Sequence, residues 1–198
     1  MKLLFSNIIG DGKKHFIILH GFLGMGDNWK TQAKKIAEVG YSVHLIDQRN
    51  HGKSFWSNKF NYELMVEDLR YYLSYYAIKN AILMGHSMGG KISMKFALKY
   101  PEHINQLIIV DIAPKYYKPN HQNFLEALIS LNLETIRSRK EAEEKLSCKI
   151  KNSGILKFLL KNLYWTKDGK LGLRINIEVL QAKEHEIGKA VYSNKTFK

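Results

Sequence analysis

The chain has 198 residues, of which 45% are apolar, 12% aromatic and 25% charged. That length fits one domain, or one domain with a lid, and that composition excludes a disordered chain. The single cysteine, Cys148, excludes a disulfide scaffold and a zinc–thiolate site and fits a reducing cytoplasm. Lys and Arg number 31 against 18 Asp and Glu, a net charge of +13. Only Arg49, Arg70, Arg137, Arg139 and Arg174 carry guanidinium groups, and the lysines are scattered, so a nucleic-acid partner is not expected. The longest apolar runs, such as 16–19 and 107–110, are far short of the ~20 residues a membrane span needs. The N-terminal run is too short for a secretory h-region.

In chain order, Lys2 to Phe5 and Phe16 to His20 read as strands, and Gly10-Asp11-Gly12 between them reads as the turn of a hairpin. Asp27 to Val39 carries Trp29, Ala33, Ile36 and Ala37 at helical spacing, with Asp27 as N-cap and Gly40 as stop. Ser42 to Asp47 is a strand, Tyr62 to Ala77 a helix and Asn80 to Gly85 a strand. Met88 to Tyr100 is a helix ended by Pro101, and Gln106 to Asp111 is a strand. Strands alternating with helices predict an α/β fold, with a mostly parallel sheet covered on both faces. From Gln122 to Tyr192 the periods are helical and no strand is expected. Phe124, Leu125, Leu128 and Leu131 line one face; Ile155, Phe158, Leu159 and Leu163 line another. The expected organisation is a core over 1–114, an all-helical lid over 115–195 and the start of a return to the core at 196–198.

Gly85-His86-Ser87-Met88-Gly89 falls between a strand and a helix, the context in which G-x-S-x-G acts as a nucleophile elbow. The sharp turn lifts the Ser87 hydroxyl clear of the sheet. It also leaves the Met88 N–H at a helix N-terminus, where it can face a developing oxyanion. His20-Gly21-Phe22-Leu23-Gly24 follows an earlier strand, and the Phe22 N–H is the second oxyanion donor expected. His20 and His51 precede the nucleophile, the wrong chain order for a base in this architecture. His20 reads as a structural hydrogen-bonder. The loop 47–54 reads as a scaffold in which Arg49 pairs with a carboxylate. Asp111, at the carboxyl end of the strand after the nucleophile, is the expected acid. Trp29 fits either an acyl pocket or the core. Tyr71, Tyr72, Tyr75 and Tyr76 read as packing and surface aromatics.

The stretches HGFLGMGDNW (20–29), DQRNHGKS (47–54), GHSMGGK (85–91) and IVDIAP (109–114) resemble the α/β-hydrolases, and more narrowly the YbfF-type carboxylesterases. LRINIEVL (173–180) resembles the end of that family's lid. The resemblance implies an acyl ester or thioester substrate, no cofactor and no metal, with Ser87 as nucleophile. It also implies an acid after the sixth strand, at Asp111. After Asp111 only His121 and His185 remain, and neither follows a strand, so each reads as a solvated lid histidine. The family has two further strands with the catalytic His after the last. The expectation is therefore a C-terminally truncated serine esterase whose last strands and His lie beyond residue 198, nearly inactive in this form. Thioester hydrolysis and acyl transfer on the same site stay open, as does a non-catalytic binding protein that has lost its base.

Overall fold

The computed structural model describes residues 2–197. Its main sheet, among the described residues, has five strands in the order β1-β3-β2-β4-β5. They are β1 (Ser6–Ile9), β2 (Lys14–Leu19), β3 (Tyr41–Ile46), β4 (Ala81–His86) and β5 (Ile104–Val110). β2 pairs in parallel with β3 and with β4, and β4 with β5; β1 alone runs antiparallel, against β3. Alternation of side chains in β2 sends Ile17 and Leu19 to one face and Phe16 and Ile18 to the other, and all four are buried. Helix α1 (Lys30–Glu38) covers the Phe16/Ile18 face. Helices α2 (Tyr62–Tyr75) and α3 (Met88–Lys99) cover the other. Both faces are thus buried, the arrangement expected of a parallel sheet.

The hairpin expected between the first two strands does not form. β3 lies between β1 and β2, and the first strand starts at Ser6 rather than Lys2. A glycine turn signal states that the chain bends; it does not state which edge the next strand joins. Here the Gly10–Gly12 link is pressed against Gly40 and Tyr41, where β3 begins, with no room for a β-carbon at either glycine. Asp27 is not the cap of α1: it lies in a 3₁₀ turn, Gly26–Trp29, and the α-helix begins at Lys30. Gly40, at φ +90°, does end the helix, and Pro101 follows α3 as expected.

Beyond Pro114 come α4 (Gln122–Ile129), α5 (Arg139–Ser147), α6 (Ser153–Leu160), α7 (Ile177–Ala182) and α8 (Glu184–Gly188). The segment is not all-helical. β6 (Leu163–Trp165) and β7 (Leu171–Leu173) form an antiparallel hairpin. Thr166 closes its turn through its backbone N–H and hydroxyl to Lys170, with Gly169 at φ +73°. Asp168-Gly169 between aromatic and apolar residues was the available signal.

This segment is tied to the sheet by polar contacts at several points. The Asn162 side chain donates to the Leu23 carbonyl (2.9 Å). Asn176 donates from its backbone to the Asn50 carbonyl (3.0 Å). Tyr62 donates its hydroxyl proton to the Ile187 carbonyl (2.8 Å). The fully buried Lys91 ammonium donates to the carbonyls of Ile187, Gly188 and Lys189 at the end of α8. A cation there meets the negative end of the helix. No helix among the described residues is long and apolar enough to cross a membrane.

Candidate active site

The elbow has the expected shape. Ser87 follows β4 directly and precedes α3, at φ +51° and ψ −114°. A non-glycine residue there is strained, and such strain persists only where the surroundings impose it. They do so through glycines. A β-carbon on Gly85 would collide with the Gly89 carbonyl and the Ser93 hydroxyl, and one on Gly89 with the carbonyl of Leu19. The start of α3 therefore lies directly on the ends of β2 and β4. Leu23 (φ +59°) and Asp111 (φ +53°) also have positive φ, so three of the six such non-glycine residues among the described residues lie on loops around Ser87.

Loop 20–24 is held by two buried histidines. His20 Nε2 accepts the Gln48 N–H (2.9 Å), and His51 Nε2 accepts the Leu23 N–H (3.2 Å). Each ring's other nitrogen lies beside a carbonyl, that of Gly21 for His20 and that of Arg49 for His51. Both rings are thereby fixed as the neutral Nδ1–H tautomer. Burial pushes His20 down to about 4 and His51 to about 3. These are scaffold groups, as the chain-order argument expects. Asp47 adds a third tie, accepting from the backbone of Gly26 (2.7 Å) and Lys53 (2.8 Å).

Arg49 pairs with a carboxylate as expected: its Nε and Nη2 donate to both oxygens of Asp68, at 2.6 and 2.8 Å, and both residues are buried. The third guanidinium nitrogen, Nη1, donates to the Lys59 carbonyl (2.9 Å). Removing one partner strands a buried charge, which costs about 3–5 kcal/mol. Asp68→Ala is therefore expected to lower unfolding free energy by that amount in a urea titration, and Asp68→Asn by less. Equal stability of Asp68→Ala and wild type would refute this reading of the pair.

Two cavities meet at Ser87. The first, about 380 Å³, is lined by the loop 20–24, Trp29, His86 and Ser87 from the sheet side. Phe124, Ile155, Phe158 and Leu159 of α4 and α6 close it from above, so Trp29 is a pocket residue. The second, about 300 Å³, is bordered by Ser87, Met88, Lys91, Asp111, Ile112 and the 117–121 segment. The structure thus brings Ser87, Phe22, Met88 and Asp111 to one place. Among the described residues no hydrogen bond engages the backbone N–H of Phe22 or Met88, or the Ser87 hydroxyl. Asp111 is exposed, its carboxylate 4.0 Å from His86 Nε2. Burial holds His86 below the ordinary imidazole value, and Asp111 opposes that shift. His185 is exposed and paired with Glu186. His121 departs from the solvated role expected for it: it borders both cavities and packs edge-on against Phe22 at 5.1 Å. A lone histidine before a helix offers no sequence period that would reveal this. The base that the resemblance puts beyond residue 198 falls outside the described residues. No cluster of three His, Cys, Asp or Glu side chains placed to hold a metal occurs among the described residues.

Residues 14–159 match the family model of the α/β hydrolase fold. The chain belongs to the α/β-hydrolase family. It is similar to the sn-1-specific diacylglycerol lipase ABHD11 of Danio rerio, 36% identical in an alignment of 170 positions that covers 82% of this chain and 53% of that one. It is also similar to ethanol acetyltransferase 1 of Cyberlindnera fabianii, 29% identical over 82% of this chain and 51% of the relative. Among solved structures, one titled a marine microorganism esterase superposes at a TM-score of 0.93 with 36% identity, covering 98% of this chain and 76% of the other. This α/β-hydrolase chain spans about half to three fifths of the length of curated relatives it matches.

Proposed function

We propose that the protein is a serine hydrolase of carboxylic esters with an apolar acyl group, working through an acyl-enzyme. The observation that carries this reading is Ser87 on its strained strand-to-helix turn, at the mouth of an apolar cavity, beside two uncommitted N–H groups. In this reading the Ser87 oxygen attacks the acyl carbonyl carbon. The Phe22 and Met88 N–H groups hold the oxygen that becomes negative. A histidine outside the described residues takes the Ser87 proton and passes it to the departing alcohol, with Asp111 orienting the ring. Water then attacks the acyl-enzyme, and the free acid leaves. Trp29, Ile155 and Phe158 offer the acyl chain an apolar wall. Likeness to an esterase and a lipase supports the reaction class. Likeness to an ethanol acetyltransferase favours a second outcome on the same intermediate, in which an alcohol replaces water. A thioester would enter the same route with a thiolate leaving.

A fluorophosphonate probe tests the reading on the protein expressed from its complete reading frame. Wild type is expected to label at one site and Ser87→Ala not at all, with hydrolysis of short aryl esters lost together with labelling. Labelling that survives in Ser87→Ala, or a wild type inert to the probe, would overturn it. Added ethanol diverting product from acid to ethyl ester would assign the transfer reaction.

A further inference from the structure

Phe22, Ser87 and His121 are the three residues that border both cavities. Ser87 belongs to the proposed chemistry and Phe22 contributes its backbone, so His121 is the unassigned side chain at the junction. It is fixed from several directions. Its backbone N–H donates to Glu184 Oε1 (2.6 Å), and its Nδ1 lies 3.5 Å from the same oxygen. Its carbonyl accepts from Phe124 and Leu125 at the start of α4. Its ring lies against Phe22, with Phe124 beyond at 6.3 Å. Nδ1 is buried without a hydrogen-bond partner among the described residues, and the Glu184 carboxylate 3.5 Å away favours the Nδ1–H tautomer through its charge alone. That tautomer leaves Nε2 as an acceptor, and Nε2 has no partner among the described residues and is not sealed from solvent.

The two cavities differ in character. Phe124, Ile155, Phe158 and Leu159 make the first apolar. Asp111, Lys118 and Asn120 make the second more polar than the first, although Ile112, Tyr117 and Pro119 also line it. An ester whose carbonyl sits at Ser87 then has its acyl chain in the first and its alcohol portion on the Phe22–His121 side of the second, leaving the side between Ser87 and Asp111 to the ring that the proposed mechanism needs. We propose that His121 is a substrate-contacting specificity residue, whose Nε2 accepts a hydrogen bond from a free hydroxyl on the alcohol portion of the ester. The enzyme then selects esters of hydroxylated alcohols over plain alkyl esters. This rests on the reading of Ser87 as the reacting centre. Burial holds His121 below the ordinary imidazole value, although Glu184 opposes the shift, so the ring stays an acceptor at neutral pH.

The test uses two non-hydrolysable ethers of matched shape, 2-(hexyloxy)ethanol and 1-propoxyhexane, which differ by a hydroxyl in place of a methyl. Their dissociation constants are measured by NMR titration on wild type, His121→Phe and Glu184→Gln. One hydrogen bond predicts that the preference of wild type for the hydroxylated ether over the plain one falls about five- to tenfold in His121→Phe. The plain ether is expected to bind that variant as well as it binds wild type. Glu184→Gln, which keeps volume but loosens the tautomer, is expected to fall between them, and it stands in if the Phe variant does not fold. An unchanged preference in the variants, or no binding of either ether to wild type, overturns the proposal. If the preference changes but the probe does not label Ser87, the hydrolase reading falls and the hydroxyl site stands. If Ser87 labels and the preference does not change, the reverse holds.

Discussion

Gly89→Ala is expected to abolish fluorophosphonate labelling of Ser87 and to lower stability by about 4 kcal/mol or more, the size reserved for clashes that cannot relax. The β-carbon would collide with the Leu19 carbonyl and lie 2.7 Å from that of His20. Both are backbone atoms at the end of a central strand, so no rotamer change relieves the contact. The helix must instead move off β2. That movement separates the Met88 N–H, at the first turn of α3, from the Phe22 N–H, three residues past Leu19. Both proposed oxyanion donors and the strained φ of Ser87 depend on this single close approach. Gly154→Ala serves as the contrast: its β-carbon meets only Asn152 Oδ1, at 3.2 Å, and it sits in the first turn of α6. A change within about 1 kcal/mol of wild type is expected there, since alanine favours helix over glycine. Chemical denaturation and probe labelling of both variants provide the check. A fully labelled Gly89→Ala protein would show that the elbow tolerates what its geometry forbids.

The parts of the fold legible in the sequence are those where local chemistry and tertiary context agree. Alternating strands and helices from residue 41 to 110 match the structure within a residue or two at most ends, because each helix carries a 3.6-residue apolar period and β3 and β4 are short apolar runs buried on both faces. The sharp turn at Ser87 was legible for a related reason: glycines at 85 and 89 state the need for close approach. Pairing was not legible. The choice of β3 rather than β2 as partner of β1 is made by where a later strand inserts, and nothing in residues 2–13 encodes that. The β6–β7 hairpin was masked by apolar residues that fit a helical face equally well: Leu163 continues the period of Ile155, Phe158 and Leu159 although the helix ends at Leu160. His121 was missed because its meaning is entirely tertiary: Phe22, Ser87 and Glu184 come to it from distant parts of the chain.

Acid is expected to unfold the protein steeply between about pH 6 and pH 4, beginning at the site itself. His20, His44 and His51 are buried and neutral, and burial holds them at about 4, about 4 and about 3. An unfolded histidine titrates near 6.5. Between that value and the folded one, the unfolded chain binds a proton the native state refuses, so stability is fully present above pH 6.5 and is lost as pH falls. Each group contributes up to about 1.4 kcal/mol per pH unit, and three together about 4, against a typical total of about 5–15. Burial raises Asp47 and Asp68, which works in the opposite sense from the ordinary carboxylate value upward. The structural cost is specific. A proton on His51 Nε2 sets an N–H against the Leu23 N–H, and one on His20 Nε2 does the same against Gln48. Loop 20–24, which carries the Phe22 donor, therefore loses both of its imidazole anchors. His44 is held differently, with its Nδ1 2.8 Å from the Tyr72 hydroxyl, which itself donates to Ser6. His44→Gln should accordingly flatten the stability profile by about one third while leaving probe labelling at pH 7 intact. His51→Gln should flatten it too but weaken labelling, because Leu23 loses its acceptor. Urea titrations at half-unit steps from pH 7.5 to 4.5 measure the slope, and a stability that stays level from pH 7 to 5 would show that these imidazoles are not held neutral by the fold.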